Sequence, residues 1–181
     1  MAPDFFNLYG LAMNLKTVFP FLLPLAMQWA RREAAKIQLL GASLTPRERR
    51  LAKSVGVVFP ERVKLLLVPE IPKPDNRLLR LAARQTELLS LNHSGMALGH
   101  SIYICENKMS ARLLSHELRH VYQCERHGGL DAFIAAYLQQ VVEYGYRECP
   151  LEVDARHYER VAYLNGLAKN DDRYCVDSQD V

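Results

Sequence analysis

The pattern of hydrophobic and polar residues divides the chain into helical and extended stretches. In the helical stretches, apolar residues recur every three to four positions, which places them on one face. Helices are predicted over residues 24–40, 45–56, 78–89, 109–126, 131–144 and 150–165. Two shorter runs rich in strand-forming residues are predicted as strands, over residues 63–68 and 95–105. Strands before residue 109 and helices after it indicate an α+β fold.

Capping signals support several of these helix boundaries. Thr45, followed by Pro46 and Glu48, has the spacing of a capping box with proline at the first helical position. Ser110 is a suitable N-cap for the helix over residues 109–126, and Asp131 is predicted to cap the helix that follows. The second half of the chain is therefore predicted as a series of helices with short connections.

The chain is predicted to have three parts. Residues 1–55 form an N-terminal tail and helical extension, residues 56–168 form the main domain, and residues 169–181 form a flexible acidic tail. A chain of 181 residues is long enough to bury a hydrophobic core.

Composition places the chain among ordinary globular proteins. Hydrophobic residues make up 49% of it, charged residues 24%, and the net charge is +3, so nucleic acid is not an expected partner. Basic residues outnumber acidic ones between residues 31 and 64. A solvated basic helix explains that excess, and the alternative is an anionic partner.

The most apolar stretch covers residues 18–29. It is too short to span a bilayer and contains Pro20 and Pro24. We expect a buried or interfacial helix with possible peripheral membrane contact, and the alternative is a signal or membrane anchor.

None of the four cysteines forms a CxxC pair, which favours free thiols in a reducing compartment. The expected location is the cytoplasm, and the alternative is a membrane-associated or exported protein.

The sequence HELRH at residues 116–120 carries the strongest chemical signal. On a helix, His116 and His120 lie one turn apart on the same face, so both rings can bind one Zn²⁺. Glu117 lies beside His116 and can reach a zinc-bound water as a general base. The alternative interpretation is a pair of surface histidines.

A catalytic zinc needs a third protein ligand and one open position. Glu152 is the favoured third ligand, because it lies in the first turn of the helix that Pro150 opens. Its alternative role is to complement the positive end of that helix. Other candidate ligands are Glu148, Asp154 and His157, whereas His127 lies too far along the helix axis.

The segments LLSHELRHVYQ and PLEVDAR resemble the gluzincin branch of the zincin metallopeptidases, in particular its compact bacterial members, the minigluzincin-like proteins and related HExxH domains. The resemblance covers about residues 60–165. It implies a zincin-like fold with a small N-terminal sheet, an HExxH helix and a C-terminal helical part. It also implies that His116, His120 and Glu152 bind zinc and that Glu117 is the general base. GMALGHSIYI resembles the edge strand that pairs with extended substrate in that family.

The chain departs from that family at Arg156. Many gluzincins have an aspartate at this position, which orients a ligand histidine. The sequence therefore does not show which residue would orient His116 or His120. The family also uses a side chain to stabilise the oxyanion. Tyr144 and Tyr146 are the candidates, and Tyr146 is the one we select.

Together these features predict a zinc-dependent metallopeptidase that hydrolyses a peptide or protein substrate. The alternative is a catalytically inactive module that binds zinc and a partner. A further hypothesis is a latent peptidase whose cleft is covered by residues 1–55.

Overall fold

A computed structural model describes residues 15–86 and 94–164. This part of the chain contains six α-helices and four strands, so the α+β prediction is confirmed. The helices are α1 Leu15–Leu40, α2 Pro46–Ser54, α3 Arg77–Gln85, α4 Ala111–Arg126, α5 Leu130–Tyr144 and α6 Pro150–Leu164. The strands are β1 Ala42–Ser43, β2 Lys64–Val68, β3 Gly95–Leu98 and β4 Ser101–Cys105. Residues 1–14 of the predicted N-terminal part, the acidic tail predicted over residues 169–181 and the end of the helix predicted over residues 78–89 lie outside the described residues.

The four strands form one mixed sheet in the order β1-β2-β4-β3. β2 and β4 are parallel, and both outer pairs are antiparallel. The single strand predicted over residues 95–105 is wrong, because the chain reverses at Gly99 and forms a hairpin of β3 and β4. Gly99 has a φ of +67°, which few other residues adopt readily. β3 is therefore an edge strand, whereas β4 lies inside the sheet.

The two faces of the sheet are covered by different helices. On one face, Ile102 and Ile104 of β4 pack into a core with Leu114, Leu118 and Val121 of α4. On the other face lies α1, which buries its Ile37 against Tyr103 and Cys105. The Tyr103 hydroxyl donates a hydrogen bond to the Glu33 carboxylate of α1, 2.9 Å away. The alternation of side chains along β4 thus fixes α1 and α4 on opposite sides.

α1 begins at Leu15, before the start predicted at residue 24, and it includes the apolar stretch over residues 18–29 that was expected to be helical. The helix extends from Leu15 through Pro20 and Pro24, although each proline lacks the N–H that would bond to the preceding turn. Both prolines lie on the exposed side, while Leu22 and Ala30 are buried. Packing of that apolar face offsets the two lost hydrogen bonds. Within the described chain, no helix meets the length and hydropathy needed to cross a bilayer.

The capping predictions have mixed outcomes. Thr45 and Glu48 form the predicted capping box, and Ser110 caps α4. The prediction for Asp131 is wrong, because Gly129 occupies the N-cap of α5. Asp131 lies inside the first turn of α5, where Arg31 of α1 donates a 2.7 Å hydrogen bond to it. Among the described cysteines, Cys105, Cys124 and Cys149 are buried, and Cys124 and Cys149 are free thiols, in agreement with the sequence-based expectation.

Candidate metal centre

Three side chains from two packed helices converge on one point. His116 and His120 of α4 bring their Nε2 atoms to within 3.1 Å of each other. α6 packs along α4 and buries Glu152 beside them. Glu152 Oε2 lies 3.4 Å from His116 Nε2, and Oε1 lies 3.2 Å from His120 Nε2. The structure therefore brings together the three residues that the sequence nominates as zinc ligands, and as a group they could hold a metal ion.

His116 is oriented by Glu159, which lies on the same helix as Glu152. The His116 Nδ1 and Glu159 Oε1 atoms are 2.7 Å apart. A carboxylate accepts hydrogen bonds, so Nδ1 carries a proton, and in the neutral ring Nε2 has the lone pair that a metal ion would need. Glu159 also accepts a 2.8 Å hydrogen bond from Arg112 Nε, which fixes the carboxylate in turn. The orienting group that the resemblance would place at Arg156 is thus supplied by Glu159.

His120 is oriented through a relay from Gln123. Gln123 Oε1 lies 2.8 Å from His120 Nδ1, and Gln123 Nε2 donates to Leu151 O and Asp154 Oδ2 at 2.9 and 2.7 Å. Because the amide nitrogen faces two acceptors, the amide oxygen must face a donor. His120 Nδ1 therefore carries the proton, and its Nε2 presents a lone pair toward His116.

Arg119 holds the Asp154 carboxylate that positions Gln123. Its guanidinium donates two hydrogen bonds to Asp154, at 2.7 and 3.1 Å, and a third to the backbone oxygen of Val55. The same group stacks between the rings of Tyr122 and Tyr158, 4.1 and 3.6 Å from their centroids. Burial alone would raise the pKa of Asp154, but Arg119 and Gln123 reverse that effect and lower it. The carboxylate that holds Gln123 thus stays ionised.

The spacing of the three side chains fits a tetrahedral cation. Two ligands bound at about 2.1 Å in tetrahedral geometry lie roughly 3.4 Å apart. The distances between the converging atoms are 3.1, 3.2 and 3.4 Å. When both histidines are neutral, the two Nε2 atoms and the two carboxylate oxygens are all acceptors, and they repel one another at these distances unless a cation or a proton lies among them. Two histidines and one carboxylate are also a donor set that Zn²⁺ prefers in catalytic sites.

The Glu152 carboxylate has one satisfied oxygen and one that lacks a donor. Tyr137 of α5 donates a 2.6 Å hydrogen bond to Oε1. Oε2 is buried and accepts no hydrogen bond from the described chain, and Arg156 Nη1 approaches it only to 3.7 Å. A buried carboxylate oxygen without a donor is costly. A bound cation would supply the missing interaction.

The charges of the site favour a cation. Burial alone would lower the pKa of His116, but the carboxylates of Glu152 and Glu159 outweigh burial and raise it to about 10. Burial would likewise raise the pKa of Glu152, but its contacts with His116 and His120 lower it well below the usual range. The carboxylates around His116 therefore make the site favourable for positive charge, which either a protonated histidine or a bound divalent cation supplies.

Glu117 lies next to the triad and faces β3. Its side chain is buried at 4% exposure, and burial is the main reason that its pKa is raised. A β-carbon on Gly95 would come within 2.4 Å of Glu117 Oε1, so the strand approaches the carboxylate as closely as glycine allows. The carboxylate thus lies between the triad and the edge strand.

A largely apolar cavity of about 170 Å³ opens beside the triad. It is walled by α1, α3, β3 and α5, and its lining includes His116, Glu117, His120 and Glu152. Tyr146, the residue nominated for the oxyanion, lines the same cavity. Burial, followed by the charges of Glu152 and Glu117, raises the pKa of Tyr146, so the phenol keeps its proton. The cavity therefore has one polar end at the triad and apolar walls beyond it.

The other residues considered from the sequence lie away from the triad. Tyr144, Glu148 and His157 are exposed. His127 ends α4, where its Nδ1 lies 2.7 Å from Gln123 O. His100 turns toward Glu125, with 2.9 Å between Nε2 and Oε1.

Four residues of the site escaped the sequence analysis. Gln123 lies three residues after His120 and Glu159 lies seven after Glu152, so helical spacing puts each on the same face as its ligand. Those spacings could have identified both residues from the sequence. Arg119 and Tyr137 gave none, since their roles depend on how α6 and α5 pack against α4.

Comparison of the chain with protein-family models, with curated proteins and with solved structures finds no match.

Proposed function

We propose that this protein is a zinc-dependent metallopeptidase of zincin-like organisation. The observation that carries the proposal is the convergence of His116 Nε2, His120 Nε2 and the Glu152 carboxylate at tetrahedral spacing, with Glu117 beside them. Three protein ligands leave one position for water or substrate, which distinguishes a catalytic zinc site from a closed structural one.

In this proposal each residue has a separate task. His116, His120 and Glu152 would hold the zinc. When bound there, the ion supplies Lewis acidity, which polarises a peptide carbonyl and makes water more acidic. Glu117 takes a proton from the attacking water and returns it to the leaving amine. Tyr146, at the wall of the same cavity, is suited to donate a hydrogen bond to the oxygen that gains charge.

The surroundings of the triad favour a peptide with apolar side chains. β3 is an edge strand, so an extended peptide can pair with its free side. Beside it, the walls of the cavity present Phe133, Leu138 and Val141 from α5. Backbone pairing would hold the peptide near Glu117, while apolar side chains fill the cavity.

The experiment that tests this proposal compares wild type with Glu117→Gln on a library of fluorogenic peptides. The substitution removes the base and keeps the size of the side chain. We expect zinc content to stay the same and the rate of cleavage to fall by about 10²–10⁴-fold. Glu106→Gln, at an exposed glutamate before α4, is the matched control and should retain full activity.

The alternative function, an inactive module that binds zinc and a partner, predicts another result. In that case both wild type and Glu117→Gln bind zinc, and neither cleaves any peptide of the library. Equal cleavage by the two proteins would instead refute the role of Glu117 as general base.

A further inference from the structure

Helices α1 and α3 form the outer wall of the cavity. They pack against each other, and each turns one face inward. α1 contributes Phe19, Leu22 and Leu23 to the lining, and α3 contributes Leu79 and Ala83. The opposite faces of both helices therefore lie on the outside of the same wall.

That outer face exposes four large apolar side chains. On α1, Phe21 is 76% exposed and Leu25 is 36% exposed. On α3, Leu78 and Leu81 are 54% and 45% exposed. Together they form what we call the α1–α3 surface. Single exposed apolar residues are common, whereas a cluster on two adjacent helices usually marks an interaction site.

Basic side chains are interleaved with the apolar ones. α3 reads RLLRLAARQ, in which Arg77, Arg80 and Arg84 flank Leu78 and Leu81 without an acidic residue in the helix. All three arginines are exposed, and none of them forms an ion pair with an acidic side chain of the described chain. A helix with arginines around exposed leucines complements a surface that is apolar within and anionic at its boundary.

We infer that the α1–α3 surface docks on the headgroup region of an anionic lipid membrane. Phe21, Leu25, Leu78 and Leu81 enter the boundary between headgroups and acyl chains, and the three arginines contact lipid phosphates. The inference does not depend on the proposed peptidase activity. If both hold, the cavity behind this wall lies next to the membrane, where apolar peptide segments are concentrated.

The test is cosedimentation of the full chain with vesicles. One set contains phosphatidylserine mixed with phosphatidylcholine, and the other contains phosphatidylcholine alone. We expect binding to the anionic vesicles that weakens as salt is added. Arg80→Gln with Arg84→Gln should reduce that binding by about fivefold for each arginine, roughly 25-fold together. Phe21→Ser should reduce it by about tenfold or more.

Matched controls distinguish binding through the α1–α3 surface from nonspecific electrostatic and hydrophobic binding. Arg50→Gln with Lys53→Gln removes two exposed charges on α2, and Leu39→Ser removes an apolar side chain that is 82% exposed at the far end of α1. Both should bind vesicles as wild type does. Circular dichroism checks that every variant is folded.

Three outcomes would overturn the inference. The first is that wild type fails to sediment with anionic vesicles. The second is that the α2 control loses binding as strongly as the α3 variant. The third is that wild type dimerises by light scattering without vesicles and Phe21→Ser abolishes the dimer, which would assign the α1–α3 surface to a second copy of the chain.

Discussion

At the scale of single residues, each candidate ligand histidine has one ring nitrogen in contact with a protein partner and the other directed toward the proposed metal site. Glu159 fixes the ring of His116, and Gln123 fixes the ring of His120. Such partners set the tautomer and the orientation of the ring before a metal binds. Because both Nδ1 atoms are engaged, both Nε2 lone pairs are committed to the same point.

Replacing Gln123 tests this account of orientation. Gln123→Leu removes the acceptor for His120 Nδ1 and also removes the hydrogen bonds that Gln123 donates to the Leu151 oxygen and to Asp154. We expect zinc affinity to fall by about 10–100-fold, measured by competition with a chromophoric chelator. Gln139→Leu, at an exposed position of α5, should bind zinc as wild type does. Unchanged affinity in Gln123→Leu would mean that the relay does not orient His120.

At the scale of elements, the site depends on the approach of an edge strand to a helix. β3 passes so close to α4 that Gly95 leaves space for the Glu117 carboxylate and for little else. The strand thereby limits where the proposed base can point. A side chain at this position would displace the carboxylate from its present position.

Gly95→Ala tests that limit. The added methyl group would lie 2.4 Å from Glu117 Oε1, so the end of the flexible side chain must move. We expect zinc content to stay the same and peptidase activity to fall by about 10²-fold, since displacement of a catalytic group by about 1 Å has that effect. Ala42→Gly, on the opposite edge strand, is the control. Full activity in Gly95→Ala would refute the proposed position of Glu117.

The sequence was informative where local signals determine structure. Periodicity and capping predicted α2, α4 and α6, and helical spacing placed His116 and His120 on one face. The hairpin of β3 and β4 was missed, because strand-forming residues continue on both sides of Gly99 and hide the reversal. The sequence placed the start of α1 at residue 24 because Pro20 and Pro24 are poor helix signals, and only packing against α3 and α5 outweighs them. Tyr137 depends on tertiary packing and could not be found.

At the scale of the whole molecule, the triad joins helices α4 and α6. α4 packs against the sheet, while α6 carries Glu152 and packs along α4. A metal bound between them would stabilise the native state alone, because the unfolded chain does not keep the three ligands together.

Zinc should therefore raise the thermal unfolding midpoint. At a free zinc concentration about 1,000 times the dissociation constant, the gain is about 4 kcal/mol, or roughly 10 °C for a chain of this size. Circular dichroism with zinc and with a chelator measures the shift. It should vanish in His116→Ala and persist in His157→Ala, which alters an exposed histidine. A thermal unfolding midpoint that is the same with zinc and with the chelator would argue against a metal that bridges α4 and α6.

The most direct test of the central claim is the metal content of purified wild type and Glu152→Ala, measured by plasma emission spectroscopy. The account predicts about one zinc per chain in wild type and a marked loss in Glu152→Ala. Glu148→Ala, which alters an exposed glutamate just before α6, should keep the metal. Wild type that holds no zinc even after reconstitution would contradict the account and leave His116 and His120 as a histidine pair without a metal.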